Sequence, residues 1–323
     1  MKYRRFGRTG WMVSEIGYGM WGMSSWTGSS DAESRQSLQR AVDLGCNFFD
    51  TAWHYGSGHS EQLLGELVRR NPGKKLYVAT KIPPKNLAWP ALPGYTLDDC
   101  FPPEHIERYV HLSLENLGVQ KIDLIQFHTW SDAWLGDDRW AKTIDGLRRQ
   151  GLFEAVGISL NRWEPWNGVR AVQSGLIDSV QVMYNIFDQN PEDELFPACA
   201  ARDVAVIARC PLDQGSLTGT LTLGSKWPEG DWRNSRFRPD RLKEIVAHVD
   251  ALKPLVPPGM TLPEMALRFI LNNPAVSTII AGMRKTKNVE ENLRVVEFGP
   301  LPLDLHRELR KHRWDRKVTR QPV

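Results

Sequence analysis

The chain predicts an α/β fold: a (β/α)8 TIM barrel with an N-terminal β-hairpin and long loops after its third and seventh strands. Three observations carry this. Eight short apolar runs, rich in Val and Ile and bounded by turn residues, have the character of strands buried on both faces. Amphipathic stretches of helical period separate most of them. The length of 323 residues suits one barrel with its loops, residues 1–323 as a single domain, although length alone also admits two domains. Periodicity by itself leaves a doubly wound open sheet as the competing arrangement.

The elements follow in order. Residues 1–14 read as a hairpin turning at Gly7–Gly10, placed to cap the bottom of a barrel. Residues 16–19 form the first strand. Residues 31–44 form a helix with Leu38, Ala41, Val42 and Leu44 on one face and Gly45 just past its end. Strands at 47–52 and 76–82 come next. The loop 83–102 follows, with Trp89, Pro90, Pro93 and Phe101. A helix over 103–117 starts on Pro103, carries Ile106, Val110, Leu114 and Leu117, and stops at Gly118. Strands at 122–128, 155–159, 179–184 and 205–210 lead to the second long loop, 212–238, with Trp227 and Trp232. Loops this long and this aromatic are expected to be functional rather than disordered. The strand 276–282 completes the set, and a helix begins near Thr286. Residues 306–323 form a basic tail, expected to be a solvated helix or a frayed end.

Composition narrows the function classes. Apolar residues make up 41% and charged residues 24%, which excludes a disordered chain, a collagen-like chain and a disulfide scaffold. A net charge of +3 is too small to argue for nucleic acid. Cys46, Cys100, Cys199 and Cys210 are widely spaced, as expected of reduced thiols in a cytoplasmic protein. The basic start at Met1-Lys2-Tyr3-Arg4-Arg5 lacks a following apolar segment, so no secretory signal is expected, and no run of about 18 apolar residues exists to span a membrane.

In a barrel, chemistry sits at the C-terminal ends of the strands. Those ends carry Asp50, Lys81, His128, Ser159, Gln181 and Arg209. One polar residue after an apolar run is a satisfied core group; six around a ring describe a pocket lining. No H-x-H strand pair and no H-E-x-x-H is present, so no metal is expected.

The second strand runs into Asp50-Thr51-Ala52-Trp53-His54-Tyr55-Gly56-Ser57-Gly58-His59-Ser60-Glu61. This resembles the aldo-keto reductase signature D-T-A-x-x-Y-G-x-G-x-S-E at all eight fixed positions. Phe6-Gly7-Arg8-Thr9-Gly10, Val78-Ala79-Thr80-Lys81, Asp123-Leu124-Ile125-Gln126-Phe127-His128, Val156-Gly157-Ile158-Ser159, Val180-Gln181 and Val289-Glu290-Glu291-Asn292 are similar to further segments of that family. The resemblance implies a (β/α)8 barrel that reduces carbonyls with NADPH and without metal. It also implies a catalytic tetrad of Asp50, Tyr55, Lys81 and His128.

The chemistry suits those residue types. Hydride transfer to a carbonyl leaves charge on oxygen, which needs an aimed proton donor. Tyr55 is the expected donor, with Lys81 as a cation that lowers its pKa from about 10. Asp50 anchors Lys81, and His128 orients the substrate oxygen. Taken singly, Asp50–Lys81 also reads as a structural ion pair, Tyr55 as a rim aromatic and His128 as a core histidine.

The resemblance places the cofactor as well. Ser159 and Gln181 hold the nicotinamide amide; the family's Asn position reads Leu160, with Asn161 one place on. Arg209 stands where the family stacks an aromatic on the ring, and a guanidinium there should disfavour the oxidised, cationic form; pairing with Asp213 is its bland alternative. Met20, Trp21, Cys210, Pro211, Leu212, Gln214, Gly215, Ser216 and Thr218 are expected to contact the cofactor, the last group as a loop over its pyrophosphate. Gly282, Arg284, Asn288, Glu291 and Asn292 are expected at the adenine end, where Arg284 favours NADP(H) over NAD(H). Trp21, Trp53, His54, Trp89 and Trp130 are the expected substrate wall, with about half of them at the pocket.

The leading expectation is a cytoplasmic NADPH-dependent reductase of an aldehyde, ketone or aldose-like sugar. Two alternatives stand beside it. One is a sugar epimerase or dehydratase using bound cofactor without net redox. The other is a redox-sensing binding subunit of the same fold, such as the potassium-channel β subunits, which the intact tetrad and the lack of an N-terminal extension disfavour.

Overall fold

The computed structural model describes residues 1–23 and 30–316. Strands β1 (Tyr3–Arg5) and β2 (Met12–Ser14) pair antiparallel as the N-terminal hairpin. Eight more strands follow: β3 (Ile16–Gly19), β4 (Phe48–Asp50), β5 (Tyr77–Ile82), β6 (Ile122–Trp130), β7 (Phe153–Leu160), β8 (Ser179–Met183), β9 (Ala205–Arg209) and β10 (Val276–Gly282). Each pairs in parallel with its neighbours in chain order, and β10 returns to β3, so the sheet closes into a barrel rather than staying open. Closure gives each of the eight strands two partners and leaves none of them with an edge.

The helices between them are α1 (Asp31–Asp43), α2 (His59–Arg70), α3 (Leu97–Cys100), α4 (Pro103–Leu117), α5 (Arg139–Arg149), α6 (Val169–Ser174), α7 (Leu195–Arg202), α8 (Trp232–Arg236), α9 (Pro239–Leu252), α10 (Leu262–Leu271), α11 (Thr286–Arg294) and α12 (Leu303–Arg310). The ends of α4 show how locally these are specified. Pro103 sits in its first turn, where a missing N–H costs nothing. Gly118 stops it in a left-handed conformation, donating its N–H to the Leu114 carbonyl. Both long loops carry short helices that the sequence reading passed over. Thr96 and Asp99 form a reciprocal cap on α3, and Asp231 caps α8.

Strand parity builds the interior. Phe6, Trp11 and Val13 of the hairpin pack with Phe48, Tyr77, Ala79, Leu124, Ala155, Ala205, Ile207 and Ile280. The hairpin therefore plugs the N-terminal mouth with stacked rings, Phe6 on Trp11 and Trp11 on Tyr77. Two residues further along each strand, on the same face, the apolar layer gives way to Asp50, Lys81, Gln126 and Arg209. Close packing limits what fits: a Cβ added at Gly157 would stand 2.3 Å from Ser179 Oγ.

The basic tail begins as expected, in a helix with Arg307 and Arg310 exposed, and departs from expectation after it. From the last residue of α12 on it stays on the molecule: Arg310 pairs with Glu192, Arg313 with Asp193 at 2.6 Å, and the Arg316 side chain is buried. Acids on the opposing surface convert a chain of like charges into an arm. Lys317 and Arg320 lie outside the described residues.

Candidate active site

A cavity of about 840 Å³ opens at the C-terminal ends of the strands. It runs from Asp50, Tyr55 and His128 to Arg284, Asn288 and Asn292. At its floor Lys81 Nζ donates to Asp50 Oδ2 and to the Thr51 carbonyl, both at 2.6 Å. Asp50 Oδ1 accepts from Gln126 Nε2 at 3.1 Å and from Gln181 Nε2 at 2.8 Å. Register sets this convergence, because β4, β5 and β6 are adjacent and Lys81 lies opposite Gln126.

The turn after β4 aims Tyr55. Gly56 and Gly58 have φ of 72° and 95°, and a Cβ at Gly58 would stand 2.4 Å from the Asn116 side chain. Thr51 Oγ1 meets Ser60 Oγ at 2.8 Å, closing the turn on itself. Glu61 accepts from Thr80 at 2.6 Å and Asn116 at 2.8 Å, pinning the first turn of α2 to β5 and α4. The fixed positions of the signature are thus divided: Asp50 and Tyr55 face the cavity, while Thr51, Ser60 and Glu61 hold the turn.

Lys81 Nζ lies 5.1 Å from the centre of the Tyr55 ring, and the Tyr55 and His128 rings stand edge to face at 6.2 Å. Burial pushes the Tyr55 hydroxyl above its ordinary pKa, and Asp50 adds to this while Arg209 opposes it. Burial thus outweighs the lowering expected from a neighbouring cation. Burial pulls Lys81 down, with Asp50 resisting. Burial, reinforced by Lys81 and Arg209, holds His128 well below the usual imidazole value. The site thus presents a protonated phenol and a neutral imidazole.

The expected substrate wall divides. Trp21, His54 and Trp89 line the cavity. Trp89 is fixed by its indole N–H on the His128 carbonyl at 3.0 Å, with His54 4.3 Å from it, centre to centre. Trp130 does not belong to the wall. A register shift after His128 turns it into the core, where its N–H donates to Asp132 and it packs on Trp134 and Trp140. Trp53 faces away too, edge-on to Tyr109 of α4 at 4.8 Å. Among the expected cofactor contacts, Ser216 is buried, donating to the Asp213 carbonyl, and does not reach the cavity. Met20, Ser159, Gln181, Cys210, Pro211, Leu212, Gln214, Gly215, Thr218, Gly282, Glu291 and the others line it.

Asn161 lines the cavity with its amide already committed: it exchanges hydrogen bonds with the Ala91 backbone and donates to Glu164. It anchors the 83–102 loop. Arg209 does not pair with Asp213; it donates to the Leu160 carbonyl at 2.9 Å. Sequence reasoning missed Gln126 and Arg162. Gln126 was visible as the residue one strand period before His128.

The cavity suits a long anionic ligand. Among the described residues, Arg162 Nη1, Arg209 Nε and Arg284 Nη1 are buried donors without partners along it. Gly215, at φ 105°, and Gly282 leave open space where side chains would intrude. Ser159, Gln181 and Arg209 would hold the nicotinamide end of a dinucleotide, and Arg284 with the start of α11 the adenine end.

Comparison with known proteins agrees. The Aldo/keto reductase family profile matches residues 15–313. The aldo-keto reductase YhdN of Bacillus subtilis is 29% identical over 90% of this chain and 87% of its own. The NADH-specific methylglyoxal reductase of Escherichia coli is 28% identical, covering 93% of this chain and 94% of its own. The holo form of an aldo-keto reductase from Bacillus halodurans superposes with a TM-score of 0.76 at 26% identity, covering 99% of each chain.

Proposed function

Because the chain belongs to the aldo/keto reductase family, an oxidoreductase family acting on carbonyls, we propose that it reduces an aldehyde, ketone or aldose-like sugar with NADPH. The observation that carries this is the meeting of Tyr55, His128 and the Lys81–Asp50 pair at one cavity. A bound nicotinamide cofactor supplies the hydride. Tyr55, kept protonated by burial, gives its proton to the substrate oxygen as charge builds there. His128, kept neutral, can donate a hydrogen bond to that oxygen without adding a proton of its own. Lys81 stabilises the phenolate left behind, and Asp50 with Gln126 and Gln181 keeps the ammonium in place. Trp21, His54 and Trp89 form an aromatic entrance to the cavity.

Arg284 and Lys285 at the far end favour a 2′-phosphate and hence NADP(H), although one relative uses NADH. The four cysteines are unpaired thiols and no described helix is long and apolar enough to cross a membrane, which supports a cytoplasmic setting. The test is a carbonyl panel read as NADPH or NADH oxidation. Stoichiometric oxidation, faster with NADPH, is expected. Turnover without net oxidation would transfer the site to epimerisation or dehydration.

A further inference from the structure

Beyond α12 the chain crosses behind the turn Asp213–Thr218, the segment between β9 and the second long loop. Trp314 donates its backbone N–H to the Phe187 carbonyl at 2.8 Å and stacks on His248 with 4.0 Å between ring centres. Arg316 then turns inward, its side chain only 6% exposed. Its Nη1 lies 2.8 Å from Asp213 Oδ1 and its Nη2 3.3 Å from Asp188 Oδ2. The guanidinium packs over the rings of Trp314, Trp163 and Phe187 at 4.5, 5.6 and 5.6 Å. Arg236 holds the same turn from the other side, with Nη2 3.3 Å from Asp213 Oδ1 and Nε 2.6 Å from Gln214 Oε1.

The turn needs such holding. Asp213 and Gln214 have φ of 44° and 57°, the left-handed region that side chains other than glycine adopt only when surroundings compel it. Gln214 and Gly215 face the cavity, whereas Asp213 is buried behind them. Burial opposes ionisation of Asp213, yet Arg316 and Arg236 together keep its carboxyl below the ordinary range.

We propose that Arg316 is a positioning residue: acting through Asp213, it holds the turn in the shape that closes over the cofactor's phosphates, so the C-terminal arm sets how long the cofactor stays bound. The role rests on the cavity holding a nicotinamide dinucleotide. It does not require Arg316 to touch cofactor or substrate.

The test is NADPH binding, measured by fluorescence titration and stopped-flow release, in wild type, R316Q, R316K and R313A. R316Q should release NADPH about tenfold faster, as expected when one partner of a buried charge pair is truncated. Its turnover at saturating NADPH should not fall, and R316K should recover part of the affinity. R313A, which removes the exposed anchor on Asp193 and the neighbouring pair with Asp315, should show a smaller change in the same direction even if R316Q fails to fold. Release at the wild-type rate in folded R316Q, or in R313A where R316Q does not fold, overturns the proposal alone. A wild-type protein that binds neither NADPH nor NADH overturns the functional reading and this proposal with it.

Discussion

Two buried ionic clusters flank the cavity, and they are built differently. Around Asp50, one carboxylate meets three donors and Lys81 Nζ two acceptors, all on or next to strands of the barrel. Around Asp213, one oxygen accepts from both Arg236 and Arg316 while Oδ2 and Arg316 Nε have no partner among the described residues. The first cluster takes its rigidity from sheet register. The second draws on residues 23 and 103 positions further along the chain and on a turn in left-handed conformation. A charge placed at a strand end is held by the fold itself; a charge placed on a loop is held only by its partners.

The largest effects belong to the strand-end cluster. Tyr55→Phe should lower turnover by about 10²- to 10⁴-fold, the range of a general acid, with NADPH affinity unchanged. Lys81→Met should be at least as inactive, and should also destabilise the fold by about 3–5 kcal/mol, because Asp50 is left as an uncompensated buried charge. Turnover and thermal melting read the two apart. Tyr55→Phe turning over at the wild-type rate would remove the phenol from the mechanism; an unchanged melting temperature in Lys81→Met would remove the distinction between the clusters.

The same contrast explains what could be read from the residues alone. Asp50, Lys81, His128, Ser159, Gln181 and Arg209 end apolar runs, so periodicity marks them and the barrel rule gives them one destination. The hairpin plug was legible as well, from Gly7–Gly10 between short alternating segments. Trp130 misled because a register shift after His128 reverses its side, and sequence carries no mark of that. The arm was read as solvated because its seven basic residues lie in one stretch while Asp188, Asp193, Glu192 and Asp213 lie far off in sequence. Compensation across more than a hundred residues has no local signature.

A smaller effect tests the cation that neither cluster absorbs. Among the described residues Arg209 has no carboxylate partner, and it lines the cavity beside Ser159 and Cys210. A fixed positive charge near the nicotinamide ring penalises the pyridinium form and leaves the dihydropyridine alone. Two unit charges about 6 Å apart at an effective dielectric near 20 interact by roughly 3 kcal/mol, before solvent screening reduces it. Arg209→Tyr should therefore tighten NADP⁺ relative to NADPH by about fivefold to tenfold, checked by titrating both forms. An unchanged ratio of the two dissociation constants would leave Arg209 with only its bonds to Leu160 and Cys210.

An effect of comparable size is expected in stability against pH, and it again separates a compensated group from an uncompensated one. His128 Nδ1 is buried without a partner among the described residues, and burial holds the ring neutral in the folded state. In the unfolded chain it takes up a proton below about pH 6.5. The unfolded state then binds more protons than the folded one, so stability falls as pH drops below that value. Glu61 acts with the opposite sign: burial raises its carboxyl, so the folded state gains protons first as pH falls. Comparing wild type with His128→Asn cancels Glu61 and the other histidines. Between pH 6.5 and 5 the wild type should lose about one proton's worth more stability per pH unit than the variant, up to about 1.4 kcal/mol. Parallel melting curves across that window would mean that His128 charges in the folded protein, and an imidazolium there would compete with Tyr55 for the role of proton donor.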